Sequence, residues 1–96
     1  MKIVWTKIAS RHLRAAYQYW LQERSESAAD LMLDRILSTV ELLEHHPELG
    51  RQGRIASTRE LFLQPLPFFL AYRVKPKKVE ILALLHCSRK WPARFD

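Results

Sequence analysis

The spacing of apolar residues changes twice along this chain and divides it into a helical half and a strand half. Ile3, Val4 and Trp5 form a short β-favouring run, and Thr6, which follows it, is a good helix N-cap. From Lys7 to about Arg24, Ala9, Leu13, Ala16, Tyr17, Trp20 and Leu21 recur at intervals of three and four, with Arg11, Arg14, Gln18 and Gln22 between them. That is one apolar stripe on a helix. Ser25-Glu26-Ser27 interrupts it and supplies a second N-cap. Ala29, Leu33, Ile36, Leu37, Val40 and Leu43 then repeat the helical interval, with Asp30 early and His45-His46 late, where the helix dipole favours each. Pro47 and Gly50 end that helix.

Beyond the polar stretch Gly50 to Ser57 the period shortens. Glu60 to Leu63, Phe68 to Val74 and Val79 to His86 are rich in β-branched and aromatic residues. Pro65 and Pro67 separate the first two runs, and Lys75-Pro76-Lys77-Lys78 turns the second into the third as a tight hairpin. Ile81 to Leu85 is apolar on both faces, which marks a central strand. The element order β-α-α-β-β-β predicts an α+β fold: an αα-hairpin packed on one face of a twisted antiparallel sheet. Residues 1–96 read as a single domain, without a repeat or linker stretch.

Charge adds to this picture because it is uneven. Residues 1–48 carry six Lys/Arg against seven Asp/Glu, and residues 49–96 carry ten against three. The strand half is therefore strongly basic, which points to an acidic partner, nucleic acid or protein. A single cysteine, Cys87, excludes an intramolecular disulfide and a cysteine-built metal cage. Its apolar neighbours Leu84 and Leu85 predict a half-buried thiol in a reducing compartment. Residues 1–7 lack the features of a signal peptide, and no apolar run approaches the roughly 18 residues of a membrane span, so a cytoplasmic location without membrane contact is expected.

The common enzyme motifs are absent: no glycine-rich dinucleotide loop, P-loop, zinc-protease helix or nucleophile elbow occurs. His45 and His46 diverge by about 100° on a helix and do not share a metal, so neither metal nor cofactor is expected. The candidate chemistry is cationic and aromatic. Arg51, Arg54 and Arg59 surround the loop before the second strand, and Arg59 starts that strand. Arg73, after Tyr72, either forks onto a carboxylate or phosphate of a partner or pairs internally with Glu60 or Glu80. His86, Arg89, Lys90 and Trp91 place an imidazole, two cations and an indole just beyond the third run. Such a cluster stacks on bases or grips an acidic protein surface. His86 alone reads either as an acid–base group or as a satisfied strand-end histidine. Trp91 reads either as part of that cluster or as a cap on the core.

His46-Pro47-Glu48-Leu49-Gly50-Arg51 and then Thr58-Arg59-Glu60-Leu61 resemble the "P-x-x-G-R … T-R-E-L" signature of ParE-type toxins in the RelE/ParE family. Phe68 to Val74, with its Tyr72-Arg73-Val74 end, and Val79 to His86 are similar to that family's aromatic strand and its "I-L-x-x-x-H" strand. Arg89-Lys90-Trp91-Pro92 is similar to its "R-x-W-P" close. The resemblance implies the toxin of a type II toxin–antitoxin pair, with a helical hairpin on an antiparallel sheet. It also implies a cognate antitoxin that wraps and neutralises the toxin, with operator DNA reached only through that antitoxin.

The two branches of the family differ in mechanism. RelE-like members are ribosome-dependent messenger-RNA endonucleases. They place an arginine inside the strand before the hairpin and often a tyrosine in the tail; here Phe69 and Phe95 stand at the approximate equivalents. ParE-like members catalyse nothing themselves and poison DNA gyrase by binding it. The residues here favour a ParE-like gyrase inhibitor, with a RelE-like endonuclease or a non-toxic binding member as alternatives. The target-binding residues expected are Arg59, Arg73, His86, Arg89, Lys90 and Trp91, with no catalytic set.

Overall fold

The computed structural model describes residues 1–88. Its elements run β1 (Lys2–Trp5), α1 (Lys7–Glu23), α2 (Glu26–Leu42), β2 (Arg51–Gln52), β3 (Arg59–Phe62), β4 (Phe68–Val74) and β5 (Lys78–His86). Both helices start where their caps predict. Thr6 Oγ1 accepts from the Ala9 amide at 3.2 Å, and Ser25 Oγ accepts from the Ala28 amide at 3.0 Å. The α2 face turned to the sheet is slightly rotated from the expected one. Ala29, Met32, Ile36, Val40 and Leu43 are buried, whereas Leu37 is exposed and Leu33 half-buried. Met32 fits the i, i+4 ladder to Ile36 and Val40, and each such side chain contributes about 1.5–3 kcal/mol over an exposed one.

The α+β class expected is present, with two helices on one sheet, but the sheet is mixed and five-stranded in the order β1-β5-β4-β3-β2. β3, β4 and β5 are antiparallel neighbours, whereas β1 lies parallel to β5, pairing Lys2 with Lys78 and Trp5 with Ile81. Parallel pairing arises because β1 has no hairpin to set its direction. It takes the one edge of β5 that β4 leaves open, and Thr6 turns the chain there into α1. The additional strand β2 comes from the stretch expected as a polar loop. It is two exposed residues, Arg51 and Gln52, paired with Glu60 and Arg59, too short and too polar to show a period.

A bulge between β4 and β5 decides which side chains share a face. Tyr72 pairs with Ile81 and Ala71 with Ala83, so Leu82 is the extra residue. Val79, Ile81 and Leu84 consequently face the helices with Leu70 and Tyr72, while Ala83 and Leu85 join Phe69 and Ala71 on the opposite face. This single insertion explains why Ile81 to Leu85 is apolar throughout, and it turns His86 toward the helix side.

Candidate functional site

The expected target-binding residues do not converge. Arg59 pairs with Tyr72 at one end of the sheet, and Arg73 follows Tyr72 but points to the other face. His86 pairs with Phe68 at the opposite end of β4, some six residues or roughly 20 Å away. Arg89, Lys90 and Trp91 lie outside the described residues.

Arg59 is committed to the loop that leads into β2. Its Nη1 donates to the Gly50 carbonyl at 2.7 Å and to the Glu48 carbonyl at 3.4 Å. The Tyr72 hydroxyl works on the same loop, donating to the Pro47 carbonyl at 2.8 Å and accepting from the Gly50 amide at 2.7 Å. Burial raises the Tyr72 phenol above its ordinary 10.0, against the Gly50 amide and the Arg59 charge, which lower it. Farther round the loop, Thr58 Oγ1 donates to the Ile55 carbonyl at 2.6 Å, and the Gly53 amide donates to the Thr58 carbonyl at 2.8 Å. Thus Pro47, Gly50, Thr58, Arg59 and Tyr72, all drawn from the signature stretches, hold one loop in shape.

Arg73 resolves to the internal reading, with Glu80 as its partner. Its Nε meets Glu80 Oε1 at 3.3 Å across the β4–β5 pair, and Lys78 Nζ approaches the other carboxylate oxygen at 3.5 Å. Burial pushes the Glu80 carboxyl up, but the hydrogen bonds and charges of Lys78 and Arg73 outweigh it and leave it below its ordinary 4.5.

Glu60 is the charged group that the sequence reading weighed only as a partner for Arg73. Its side chain is 1 % exposed on the face away from the helices. There it accepts from the Arg54 amide at 2.9 Å and pairs with Arg51 Nη2 at 3.5 Å and Arg54 Nε at 3.6 Å. The Arg51 guanidinium lies 4.7 Å from the Phe62 ring centre and that of Arg54 5.8 Å from the Phe69 ring centre; the two rings stack at 5.1 Å.

His86 sits at the rim of an open groove of about 590 Å³ between α1 and the start of β4, lined by His12, Tyr19, Trp20, Arg24 and Phe68 among others. The His86 Nδ1 is 2.8 Å from Ser88 Oγ, and its ring meets Phe68 edge-on at 5.6 Å. Arg24 stacks 4.2 Å above the Trp20 ring. Within the groove, His12 Nδ1 accepts from the Leu84 amide at 3.2 Å, where β5 has run past the end of β1. His12 therefore does for the sheet edge what a neighbouring strand would do, a role hidden from sequence because its partner is 72 residues away. Cys87, expected half-buried, is exposed, since β5 ends at His86 and the backbone there turns to bond the Pro67 carbonyl.

Among the described residues, no group of three or more His, Cys, Asp or Glu is placed to hold a metal, and no helix is long and apolar enough to cross a membrane. What the geometry offers is a groove and a cationic face, both suited to holding another molecule.

Comparison with known proteins bears on what that molecule is. Y4kP of Sinorhizobium fredii, which its name places among toxins, is 38 % identical over 91 residues, covering 95 % of this chain and 93 % of that protein. Toxin RelE3 of Caulobacter vibrioides is 41 % identical over 69 residues, covering 70 % of this chain and 74 % of that one. A solved structure of the chromosomal ParDE toxin–antitoxin system from P. aeruginosa superposes with a TM-score of 0.82 at 27 % identity, covering 90 % of this chain and 95 % of that one. The family model described as ParE toxin of type II toxin-antitoxin system, parDE, matches residues 3–91, and the chain belongs to that family of toxins, each made with a cognate antitoxin.

Proposed function

We propose that this toxin acts by binding DNA gyrase, and that it performs no bond-breaking of its own. The observation that carries this reading is Phe69. At the strand position where the endonuclease branch places an arginine, Phe69 is buried, stacked on Phe62 beneath Arg54. A ring in that place packs and carries no charge to a phosphate. Ribose cleavage needs a base, an acid and phosphate-binding cations aimed at one point. Arg59 and Arg73 are engaged with the loop and with Glu80, on opposite faces, and His12 holds the Leu84 amide.

The target surface follows from the same geometry. Of the six residues expected to bind target, His86 opens onto the aromatic groove and leads in sequence to Arg89, Lys90 and Trp91, so we place the gyrase contact at this end of the sheet. Arg59 and Arg73 support the scaffold. The toxin works in the cytoplasm, and it reaches operator DNA only through its antitoxin.

One finding favours the endonuclease reading: the Caulobacter relative carries a RelE name. Purified toxin added to a gyrase supercoiling reaction and to translating ribosomes separates the two. Loss of supercoiling, with message intact, is expected. Message cut in the ribosome with supercoiling unaffected reverses the assignment, and silence in both assays leaves a non-toxic binding member.

A further inference from the structure

The sheet face away from the helices carries an arrangement that the gyrase reading does not use. Glu60 is a carboxylate buried beneath two guanidinium groups whose side chains stay 65 % and 55 % exposed. Buried ion pairs are poor sources of stability, and an apolar residue of similar volume often serves as well. What Glu60 achieves is position. With Phe62 and Phe69 below, it fixes Arg51 and Arg54 side by side at the sheet edge, Arg54 through its backbone amide as well as its side chain. A guanidinium laid near a ring presents its in-plane N–H fork outward, and that fork matches a carboxylate.

We propose that Arg51 and Arg54, held by Glu60, are a carboxylate-recognition site that takes acidic side chains of the antitoxin's neutralising segment. The proposal rests on this toxin's having a protein antitoxin, and not on which target it poisons. Local charge favours an acidic peptide over nucleic acid. Two cations and one carboxylate leave a single positive charge, enough for one or two acidic side chains. A nucleic-acid backbone instead calls for a run of cations. Here the face continues from Arg51 and Arg54 into Phe62, Phe69, Ala71, Ala83 and Leu85, all apolar, before Arg73 and Lys78 appear at its far end, both tied to Glu80.

The test uses the full chain, a fluorescent decaglutamate peptide and a ten-nucleotide single-stranded DNA, read by anisotropy. The double variant R51K/R54K preserves net charge but loses the fork and the stacking. It is expected to weaken peptide binding at least tenfold. K75A/K77A, which removes two charges from the exposed β4–β5 turn, is expected to change it less than twofold. Thermal melting shows whether R51K/R54K is folded; should it not be, R51K alone, at the most exposed of these positions, is expected to weaken binding at least threefold. Peptide binding unchanged in the lysine variants, or reduced equally by K75A/K77A, overturns the site in favour of diffuse charge attraction. DNA bound more tightly than peptide, and lost with R51K/R54K, overturns it in favour of nucleic acid. The gyrase assay on wild-type toxin is a separate readout, so failure of the target reading and failure of this site are seen independently.

Discussion

The Tyr72 hydroxyl stands 2.7 Å from the Gly50 amide nitrogen and accepts its hydrogen bond. The contact leaves no room between them: a Cβ built on Gly50 would lie 2.8 Å from that hydroxyl and equally close to the Glu60 carbonyl. Glycine is thus required here by the approach of Tyr72. Gly50→Ala is expected to displace the ring and destabilise by about 2 kcal/mol or more, as overpacking of a tight site does. Tyr72→Phe keeps the ring but orphans the Gly50 amide and the Pro47 carbonyl, at about 1–3 kcal/mol. Urea denaturation of both variants checks this; a Tyr72→Phe protein as stable as wild type would show that water replaces the hydroxyl.

The same hydroxyl predicts a pH dependence. Its folded-state pKa is raised by burial above the ordinary 10.0, so the neutral phenol stabilises the fold at all pH below about 10. That stability drains away as pH climbs from the unfolded value through the folded one. The gap in stability between wild type and Tyr72→Phe should therefore narrow above pH 10. Tyr17, also raised, through its hydrogen bond to Asp30 first and then burial, is present in both proteins and cancels in the comparison. A gap that stays constant up to pH 11 would contradict the assignment to Tyr72.

These two residues also show what could be read before the coordinates. Both helices and three of the strands follow from apolar spacing and from Thr6 and Ser25, because those signals are local. β1's parallel partner, the Leu82 bulge and the two-residue β2 are not local, and a bulge inside a wholly apolar run leaves no polar mark in the sequence. The signature stretches identified the family correctly, yet Gly50, Thr58, Arg59 and Tyr72 prove to be a loop clamp, so what they report is the fold. Arg73 needed coordinates to choose Glu80 over Glu60 or an outside anion. His12 carried no signal at all, since an imidazole accepting a strand amide looks like any helix-face histidine.

The open edge of β5 is closed by side chains, and their loss should be measurable. Thr6 Oγ1 accepts from Ala9 and donates to the Ile81 carbonyl at 2.8 Å, capping α1 and the sheet edge together. Thr6→Ala is expected to cost about 1–3 kcal/mol, while Thr6→Ser costs under about 1 because the hydroxyl remains. His12→Ala leaves the Leu84 amide unpaired, at about 1–3 kcal/mol. For a domain of this size each kilocalorie lowers the melting temperature by about 4–8 °C. If His12→Ala melts like wild type, the groove histidine is not structural and belongs with the binding surface instead.

Glu60 separates two accounts of a buried charge. Were Arg51 and Arg54 enclosed, removing their carboxylate would strand buried cations and cost about 3–5 kcal/mol. Both side chains are more than half exposed, so they regain water once Glu60 is gone. The remaining loss is the Arg54 amide, whose acceptor disappears, together with a small cavity. Glu60→Ala is therefore expected to destabilise by about 1–3 kcal/mol. Glu60→Gln keeps an acceptor for that amide and is expected to destabilise by less than half as much. Equilibrium denaturation of the two variants decides between the accounts. Equal losses would place the stabilisation in the ion pairs, and a loss above about 3 kcal/mol would mean the guanidinium groups do not rehydrate, a result at odds with their exposure here.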